Sequence, residues 1–319
     1  MSQTPSDQAI VRIGSRASRL AQAQAFQMQA AIAAALGAPP EEARIVAPVT
    51  LFSTAGDRIQ DRRLLEIGGK GLFTEEIEAA LLEGRIDCAV HSLKDMPAVP
   101  PEGLVIAATP QREDVRDAFL SNTFEHFEDL PPGAKLGTAS LRRQTQALFL
   151  RPDLQPVLLR GNIDTRLAKL DRGEADGIIL AYAGLRRLGL ADRARQLFDP
   201  LERPTAPGQG ALAIETRTED AASVWARALD HAPTALCIAA ERGALKAMEG
   251  SCRTAMGAFA TLSDGALDLV VEALTPDGRE RFRRQGRLVG ADLAGAAQLG
   301  WSLGEQIQAE AGERLLLAV

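Results

Sequence analysis

Over its first two thirds, the chain alternates short, continuously apolar runs with amphipathic stretches of helical spacing. Runs without a polar residue at every second position are typical of strands that helices cover on both faces. The amphipathic stretches carry helix signals: Thr74 can cap a helix, Ile77 and Leu81 share its apolar face, and Gly84 ends it. The order β-α-β-α predicts an α/β fold with parallel or mixed sheets and right-handed crossovers.

Eight apolar runs are the predicted strands of this region, and two segments between them are predicted hinges. The hinges are 108–114, which is rich in charge, and 199–210, which is rich in Pro and Gly. Because the last run follows the second hinge, it can rejoin the first sheet and make the N-terminal lobe discontinuous. The runs are 9–14, 44–51, 87–91, 104–109, 135–138, 156–159, 177–181 and 211–216.

The pattern changes after about residue 230. A helix, three longer strands with a Pro-Asp-Gly turn, and a closing helix predict a small α+β domain. A chain of 319 residues has room for two or three domains of about 150 residues each. We therefore predict two α/β lobes around a cleft and a C-terminal α+β domain, which comprise residues 1–110 with 211–228, 111–210, and 229–319 respectively.

Composition narrows the class of protein. Hydrophobic residues make up 46% and charged residues 24% of the chain, which is ordinary for a globular protein. No run of 18 apolar residues occurs, and the first residues lack the pattern of a secretory signal. Three cysteines without a CxxC or Cys/His cluster indicate neither a disulfide framework nor a zinc site. We therefore expect a cytoplasmic protein without a membrane partner or a metal.

Charge is distributed unevenly along the chain. Residues 135–195 contain twelve Lys or Arg and six Asp or Glu, a balance of +6, and because the whole chain carries −6, the remainder carries −12. Most of these cations are Arg, whose planar guanidinium grips a carboxylate or phosphate with two hydrogen bonds. The segment is either a solvated face or an anion-binding cleft. The acidic balance of the chain and its few aromatic residues argue against nucleic-acid binding.

Three strand-to-helix junctions in this basic segment are candidate anion sites. In GTASLRRQ, backbone N–H groups at a helix start lie beside Arg142 and Arg143, whose side chains should diverge and serve different anions. In LRGNIDTRL, Arg160 ends a strand, and Arg166 lies near the first turn of a helix, where a bound anion would explain a cation. Arg187 follows the third junction, in LAYAGLRRLGL.

Two further junctions precede that segment. In GSRASRL, Arg16 precedes a helix that Ser18 can cap. In HSLKDMP, Lys94 and Asp95 follow an apolar strand, at the end where α/β folds place ligands. Asp95 could stabilise a cation that develops on a substrate, while Lys94 could bind an anion or change the proton affinity of Asp95. The alternative is a surface ion pair.

Two glycine-containing loops complete the candidates. In GGKGLF, glycines surround Lys70; the motif is not a P-loop, and the loop is either a mobile lid with a cation or an ordinary exposed loop. In EGSCRT, Cys252 stands beside Arg253, which favours the thiolate, so this cysteine is either a nucleophile, an attachment point or incidental. Cys88 and Cys237 lie in apolar patterns and are expected in the core.

Eight motifs follow one another in a fixed order from about residue 10 to residue 257. Together they resemble the porphobilinogen deaminase (hydroxymethylbilane synthase) family, while the C-terminal end carries no distinctive signature. The motifs are GSRASRLAQAQ, GGKGLF, HSLKDMP, GTASLRRQ, LRGNIDTRL, LAYAGLRRLGL, APGQGAL and EGSC.

The resemblance implies a transferase of tetrapyrrole synthesis that joins four porphobilinogens head to tail, releases ammonia at each step and frees hydroxymethylbilane with water. The family's cofactor is a dipyrromethane held by a thioether to a loop cysteine, which corresponds to Cys252. Its catalytic aspartate corresponds to Asp95, which would stabilise the cations formed as ammonia leaves. The implied fold is two periplasmic-binding-protein-like (type II) lobes with mixed sheets around a cleft, plus a small C-terminal α+β domain.

The resemblance assigns the other candidates to carboxylate binding, because every pyrrole unit carries an acetate and a propionate. Porphobilinogen would be the partner, the loop around Lys70 a lid over the cleft, and the protein a monomer. The implied cofactor-binding residues are Cys252, Lys94, Arg142, Arg143, Thr138, Ser140, Ser18 and Arg166. The implied substrate-binding residues are Arg16, Arg160, Arg187, Lys70 and Ser92.

Three positions depart from the family's pattern. Glu66 stands where some members carry Lys, Ala139 replaces a frequent Ser, and RTAMG follows Cys252 in place of a proline-containing loop. These departures concern local contacts and no residue with an assigned catalytic role. The alternative function is a non-catalytic solute-binding module for a carboxylate or phosphate ligand. It explains the cleft and the arginines, but not the Lys94–Asp95 pair or Cys252.

Overall fold

The computed structural model describes residues 10–58, 73–248 and 254–316. Its strands form two five-stranded sheets and one three-stranded sheet. The strands are β1 (Ile13–Arg16), β2 (Val49–Phe52), β3 (Cys88–Ser92), β4 (Leu104–Ala108), β5 (Asp117–Leu120), β6 (Lys135–Thr138), β7 (Gln155–Leu158), β8 (Gly177–Ala181), β9 (Gln196–Leu197), β10 (Leu212–Arg217), β11 (Ala255–Ser263), β12 (Ala266–Leu274) and β13 (Arg281–Val289). The helices are α1 (Arg19–Ala35), α2 (Ala43–Val46), α3 (Ala55–Arg58), α4 (Glu75–Leu82), α5 (Leu141–Leu150), α6 (Ile163–Asp171), α7 (Tyr182–Arg187), α8 (Val224–Leu229), α9 (Ala232–Ala247) and α10 (Leu293–Ala311).

The two five-stranded sheets share one arrangement. The first has the order β2-β1-β3-β10-β4 and the second has the order β7-β6-β8-β5-β9. In each sheet the first three strands are parallel, and the fourth, β10 or β5, is antiparallel to both of its neighbours. Each of these antiparallel strands begins just after the chain has crossed from the other sheet. These mixed sheets confirm the predicted α/β fold class, and the exact domain bounds stay a prediction.

Helices cover the first sheet on both faces, as its continuously apolar strands predict. Met28 and Ile32 of α1 share a core with Ile13 on one face. Ile77 and Leu81 of α4 share a separate core with the other face. The strand ends therefore remain as the accessible edge of the sheet.

The strand predicted over 44–51 is wrong in its first half. Residues 43–46 form one helical turn, α2, and the strand starts at Val49. The turn buries Ala43 and Val46 and leaves Ile45 65% exposed, which is the period of a helix and not of a strand.

The sequence also did not predict β5 or β9, which are only four and two residues long.

The C-terminal domain is an antiparallel sheet of order β11-β12-β13 with helices α9 and α10 against it. The two helices approach each other closely at two glycines. A Cβ atom at Gly243 would overlap the Ala297 carbonyl oxygen, and one at Gly300 would overlap that of Ala240. Glycine is required at both positions because backbone, which cannot move aside like a side chain, fills the space.

A buried ion pair attaches the C-terminal domain to both segments that cross between the lobes. Arg112, in the first crossing segment, donates to both carboxylate oxygens of Glu241 on α9 at 2.7 and 2.9 Å. Its Nε also donates to the Gln209 carbonyl oxygen in the second crossing segment at 2.7 Å. Glu241 accepts a further hydrogen bond of 2.7 Å from the Gly208 N–H. The two crossing segments thus meet at a single carboxylate, that of Glu241.

In the described ranges, no helix combines the length and apolar character that crossing a bilayer requires.

We predict that Gly300→Ala lowers the free energy of unfolding by about 2 kcal/mol, because the added methyl group must push α10 away from α9. Urea unfolding followed by circular dichroism measures this. Gln298→Ala, at an exposed position of the same helix, is the matched control and should leave stability within about 0.5 kcal/mol of wild type. Equal stability of wild type and Gly300→Ala would contradict the close packing.

Candidate active site

The predicted site residues follow the ends of parallel strands in both lobes. Arg16 is the last residue of β1, and Ser92 is the last residue of β3. In the second lobe, Thr138 ends β6 and is followed by Ser140 at the start of α5. Because the carboxyl ends of parallel strands lie at one edge of a sheet, these side chains gather where the two lobes meet.

Asp95 lies in a short 3-10 turn directly after β3. Leu93, in the same turn, is 1% exposed and fixes the turn to the core. The Asp95 carboxylate points to Arg16, with Oδ2 3.8 Å from Nη1, and 34% of its side chain is exposed. The Arg16 guanidinium also lies over the Phe73 ring, 4.0 Å from its centroid. Asp95 is therefore a carboxylate on a fixed turn that remains accessible to solvent.

Arg142 and Arg143 converge on one buried carboxylate. Arg142 Nη1 donates to Asp117 Oδ2 at 2.8 Å, and Arg143 Nη2 donates to Asp117 Oδ1 at 2.8 Å. Burial opposes the ionisation of Asp117, but the two guanidinium charges and their hydrogen bonds outweigh it and hold the Asp117 pKa below its usual range. The sequence predicts diverging side chains that serve different anions; in the structure, the two arginines instead share Asp117.

Gln209 completes this network from the second crossing segment. Its Nε2 donates to Asp117 Oδ1 at 2.8 Å and to the Val115 carbonyl oxygen at 2.7 Å. Its Oε1 lies 3.3 Å from Arg143 Nη2 and 3.5 Å from Lys94 Nζ. Sequence reasoning missed the roles of Asp117 and Gln209, although the APGQGAL motif contains Gln209.

Lys94 points into the cation cluster and is not paired with Asp95. Protein atoms around its ammonium group and the charge of Arg143 lower the Lys94 pKa to about 8, while Asp95 and Asp117 act in the opposite direction. Part of the Lys94 side chain is exposed to solvent, so its desolvation is incomplete. The lowered pKa means that Lys94 loses its charge more easily than an ordinary lysine. The ammonium lies in a site that already holds an excess of positive charge.

Arg160 and Arg166 extend the cluster in the second lobe. Arg160 is buried, and Arg166 Nε donates to the Gly161 carbonyl oxygen at 2.8 Å. Burial, followed by repulsion from Arg143 and Arg160, lowers the Arg166 pKa to about 10, and Asp95 offsets part of this. Arg166 stays protonated at neutral pH, so it is a cation whose charge the protein only partly compensates.

The predicted hydroxyl residues already have hydrogen-bond partners in the protein. Ser18 caps α1 by accepting from the Ala21 N–H at 3.3 Å, and Ser140 caps α5 by accepting from the Arg143 N–H at 3.4 Å. Thr138 Oγ1 accepts from the Ser140 N–H at 3.1 Å, across the turn that contains Ala139. Ser92 pairs with the Gln24 side chain. Each of the first three hydroxyl groups here acts as an acceptor and retains its own proton for donation.

Arg187 lies at the second crossing segment. Its Nη2 donates to the Gly210 carbonyl oxygen at 2.9 Å. Burial lowers the Arg187 pKa, and the carboxylate of Glu113 offsets part of this. The structure therefore places Arg187 beside the hinge, whereas Arg16, Lys94, Arg143 and Arg166 are grouped around Asp95 and Asp117.

The structure describes two of the three cysteines, and both lie in the core, as predicted. Cys88 and Cys237 are buried; burial raises the Cys88 pKa, and raises that of Cys237 to about 11, so both thiols stay protonated. Cys252, Lys70 and Glu66 lie outside the described residues.

The donor set fits a group with several carboxylates. Arg142 Nε is buried without a hydrogen-bond partner among the described residues. Within the same residues, the Arg166 side chain donates only through Nε. Guanidinium and hydroxyl donors together suit carboxylates.

Across residues 10–58, 73–248 and 254–316, no group of three or more His, Cys, Asp or Glu is arranged to hold a metal ion.

Comparison with solved structures gives weak overall similarity. A periplasmic substrate-binding protein of an ABC transporter from Coxiella burnetii matches with a TM-score of 0.43 and 15% identity, over 73% of this chain and 97% of that chain. A methionine-bound nutrient binding protein from Burkholderia cenocepacia matches with a TM-score of 0.40 and 18% identity, over 69% of this chain and 90% of that chain. These scores carry no functional argument, and the fold class rests on the sheet orders above.

Comparison of sequences gives much closer matches than comparison of structures. Residues 11–224 match the family described as "Porphobilinogen deaminase, dipyromethane cofactor binding domain", and residues 235–309 match "Porphobilinogen deaminase, C-terminal domain". A porphobilinogen deaminase of Caulobacter vibrioides is 60% identical over 314 residues, covering 96% of this chain and 98% of the relative. That of Phenylobacterium zucineum is 59% identical over 317 residues, covering 97% and 99%.

The two family matches together span most of the chain, and the relatives are matched over nearly their whole length. The accessible Asp95 carboxylate among partly compensated cations agrees with a substrate that carries carboxylates and reacts through a cation. The chain belongs to the porphobilinogen deaminase family, the transferases of tetrapyrrole synthesis that bind a dipyrromethane cofactor.

Proposed function

We propose that the cleft condenses porphobilinogen units with Asp95 as the catalytic carboxylate and with the dipyrromethane bound covalently to Cys252 through a thioether. The observation that carries this proposal is the position of Asp95: it is open to the cleft, 3.8 Å from Arg16, and close enough to Arg166 to influence its pKa. The finer assignment is that of a hydroxymethylbilane synthase, which frees a linear tetrapyrrole with water.

The cation cluster would hold the acetate and propionate groups of the cofactor. Arg142 Nε and the terminal amino groups of Arg166 are donors with unused capacity in the described site, and the Ser18, Ser140 and Thr138 hydroxyls retain protons for donation. When bound, the dipyrromethane supplies the pyrrole carbon to which the first porphobilinogen is joined. The residues that would hold it, besides Cys252, are Lys94, Arg142, Arg143, Thr138, Ser140, Ser18 and Arg166.

The incoming porphobilinogen would be held by a second set of donors. Arg16 is suited to this role because its guanidinium lies beside the catalytic carboxylate, so a substrate carboxylate on Arg16 would bring the pyrrole ring close to Asp95. Arg187 would contribute from the hinge, with its Nη2 already fixed to Gly210. The full set proposed for the substrate is Arg16, Arg160, Arg187, Lys70 and Ser92.

Asp95 would act by electrostatic stabilisation. When ammonia leaves the aminomethyl carbon of porphobilinogen, positive charge spreads over the pyrrole ring and its N–H, and a fixed carboxylate stabilises that charge. In each step a carbon–carbon bond replaces the carbon–nitrogen bond, and the proton of the attacked pyrrole carbon leaves. The surrounding arginines would bind the carboxylates of the substrate, while Asp95 would face the charge that develops on the pyrrole ring.

The alternative of a non-catalytic solute-binding module is not favoured. The family match covers the cofactor-binding and C-terminal domains alike, and the relatives at about 60% identity are porphobilinogen deaminases over almost their full length. A monomeric state, a cytoplasmic location and the absence of a nucleic-acid partner remain predictions from the sequence.

We predict that Asp95→Asn folds like the wild type but loses more than about 99% of turnover, because removing one preorganised electrostatic contact of this kind costs on the order of a hundredfold or more in rate. Ammonia release from porphobilinogen measures turnover, and thermal unfolding checks the fold. The control is Asp268→Asn, which removes a carboxylate paired with Arg287 in the C-terminal sheet and should retain full activity. Full rate in Asp95→Asn would refute the catalytic role.

We also predict that the KM for porphobilinogen rises as the pH rises through about 8. A lysine with a lowered pKa is charged below that pKa and neutral above it, so carboxylate binding weakens on the alkaline side. Lys94→Arg, which stays charged, should lose this dependence, whereas Lys135→Arg, at an exposed position, should keep it. An unchanged alkaline rise in Lys94→Arg would show that another group titrates.

A further inference from the structure

Gln209 is held rigidly where the two crossing segments touch. It is fully buried and lies between Gly208 and Gly210, which both have positive φ, at 77° and 86°. A Cβ atom at Gly210 would press against the Glu113 carbonyl oxygen of the first crossing segment. The backbone is therefore fixed on both sides of the Gln209 side chain.

The orientation of the Gln209 amide is determined by its neighbours. Nε2 has two protons, and both go to groups that can only accept: Asp117 Oδ1 at 2.8 Å and the Val115 carbonyl oxygen at 2.7 Å. The reversed amide would place oxygen against oxygen at both contacts. Oε1 must therefore face the other way, toward Arg143 and Lys94.

Oε1 is the point at which cations from the two lobes meet. Arg143, on α5 of the second lobe, donates to it at 3.3 Å, and Lys94, after β3 of the first lobe, lies 3.5 Å away. Both distances are long, so the contact is mainly electrostatic. Two cations that repel each other are thus held beside one neutral oxygen.

The side chain at position 209 has to be uncharged to orient the two cations in this way. A carboxylate at this position would cancel one of the two positive charges of Lys94 and Arg143 and would also repel Asp117. An apolar side chain would leave Asp117 and the Val115 carbonyl oxygen each without one donor. The amide alone satisfies the acceptors on one side and orients the cations on the other without cancelling their charge.

We propose that Gln209 is a positioning residue that holds Lys94 and Arg143 together, so that cations from both lobes bind one pyrrole carboxylate. This inference rests on the proposed function, since it takes the bound anion to be a carboxylate of the cofactor or substrate. Gln209 lies in the second crossing segment, about which the lobes would move. Lys94 and Arg143 would therefore each stay at the same distance from Gln209 during such a movement.

The first test is a titration of Lys94 that does not depend on turnover. Lys94 can be followed by NMR in protein with isotope-labelled lysine and assigned with Lys94→Arg, since the chain has few lysines. Gln209→Met removes the oxygen and should lower the Lys94 pKa, while Gln209→Glu adds a negative charge and should raise it. Because a new negative charge would raise the Lys94 pKa whatever the role of Gln209, the Glu variant tests only the proximity of the two side chains. The Met variant tests the role, and an unchanged or raised Lys94 pKa in that variant would overturn the proposal.

The second test is kinetic. Gln209→Met should raise the KM for porphobilinogen about tenfold, which corresponds to about 1.4 kcal/mol, and should change kcat less. The rise of KM at alkaline pH should begin at a lower pH than in the wild type. Gln285→Glu and Gln285→Met, at an exposed position of β13, are the controls, and thermal unfolding identifies any variant that fails to fold.

The outcomes separate this inference from the proposed function. If the wild type releases ammonia from porphobilinogen and Asp95→Asn does not, the function stands; an unchanged KM and alkaline rise in a folded Gln209→Met protein would then overturn the role of Gln209 alone. If the wild type does not turn over porphobilinogen, the proposed function fails, and the Lys94 titration still decides whether Gln209 positions that cation.

Discussion

The site depends on one buried negative charge, the carboxylate of Asp117. A carboxylate that is 3% exposed is stable only when it is paired, since an isolated buried charge costs several kcal/mol. Asp117 satisfies this by binding Arg142, Arg143 and the amide of Gln209. It is also the first residue of β5, so the strand that returns from the first lobe fixes it in place. The direction of the two arginines, and through Gln209 that of Lys94, follows from this charge.

Helix α9 connects the two crossing segments to the turn that contains Asp95. Its Glu241 binds Arg112 and the N–H of Gly208, so it holds both crossing segments. The next residue, Arg242, donates through Nη2 to the carbonyl oxygens of Pro97 and Ala98, just after Asp95, at 2.8 and 2.9 Å. The helix ends at Ala247, five residues before Cys252 in the sequence. The helix that leads to the proposed cofactor cysteine thus also supports the segment that follows Asp95.

The sequence predicts the fold class and most of the cations of the site, because both depend on local patterns. Continuous apolar runs indicate covered strands, and a cation just after such a run must lie at the ligand-binding edge. Asp117 could not be found in this way, because an acidic residue that follows a charged segment and begins a four-residue strand has no local signature. The convergence of Arg142 and Arg143 was missed for the same reason: their common partner comes from a strand that the sequence did not predict. The 44–51 run misled because a single buried helical turn and a strand both look apolar at that length.

We propose that this cationic site serves a carboxylate-rich group fixed to Cys252. The most direct measurement is the intact mass of the denatured protein beside its Cys252→Ser variant, before and after incubation with porphobilinogen. We expect that the wild type carries an excess equal to two pyrrole units, or acquires it from porphobilinogen, and that the variant does not. A wild-type mass equal to that of the bare sequence after incubation, or the same excess on the Cys252→Ser protein, would contradict it.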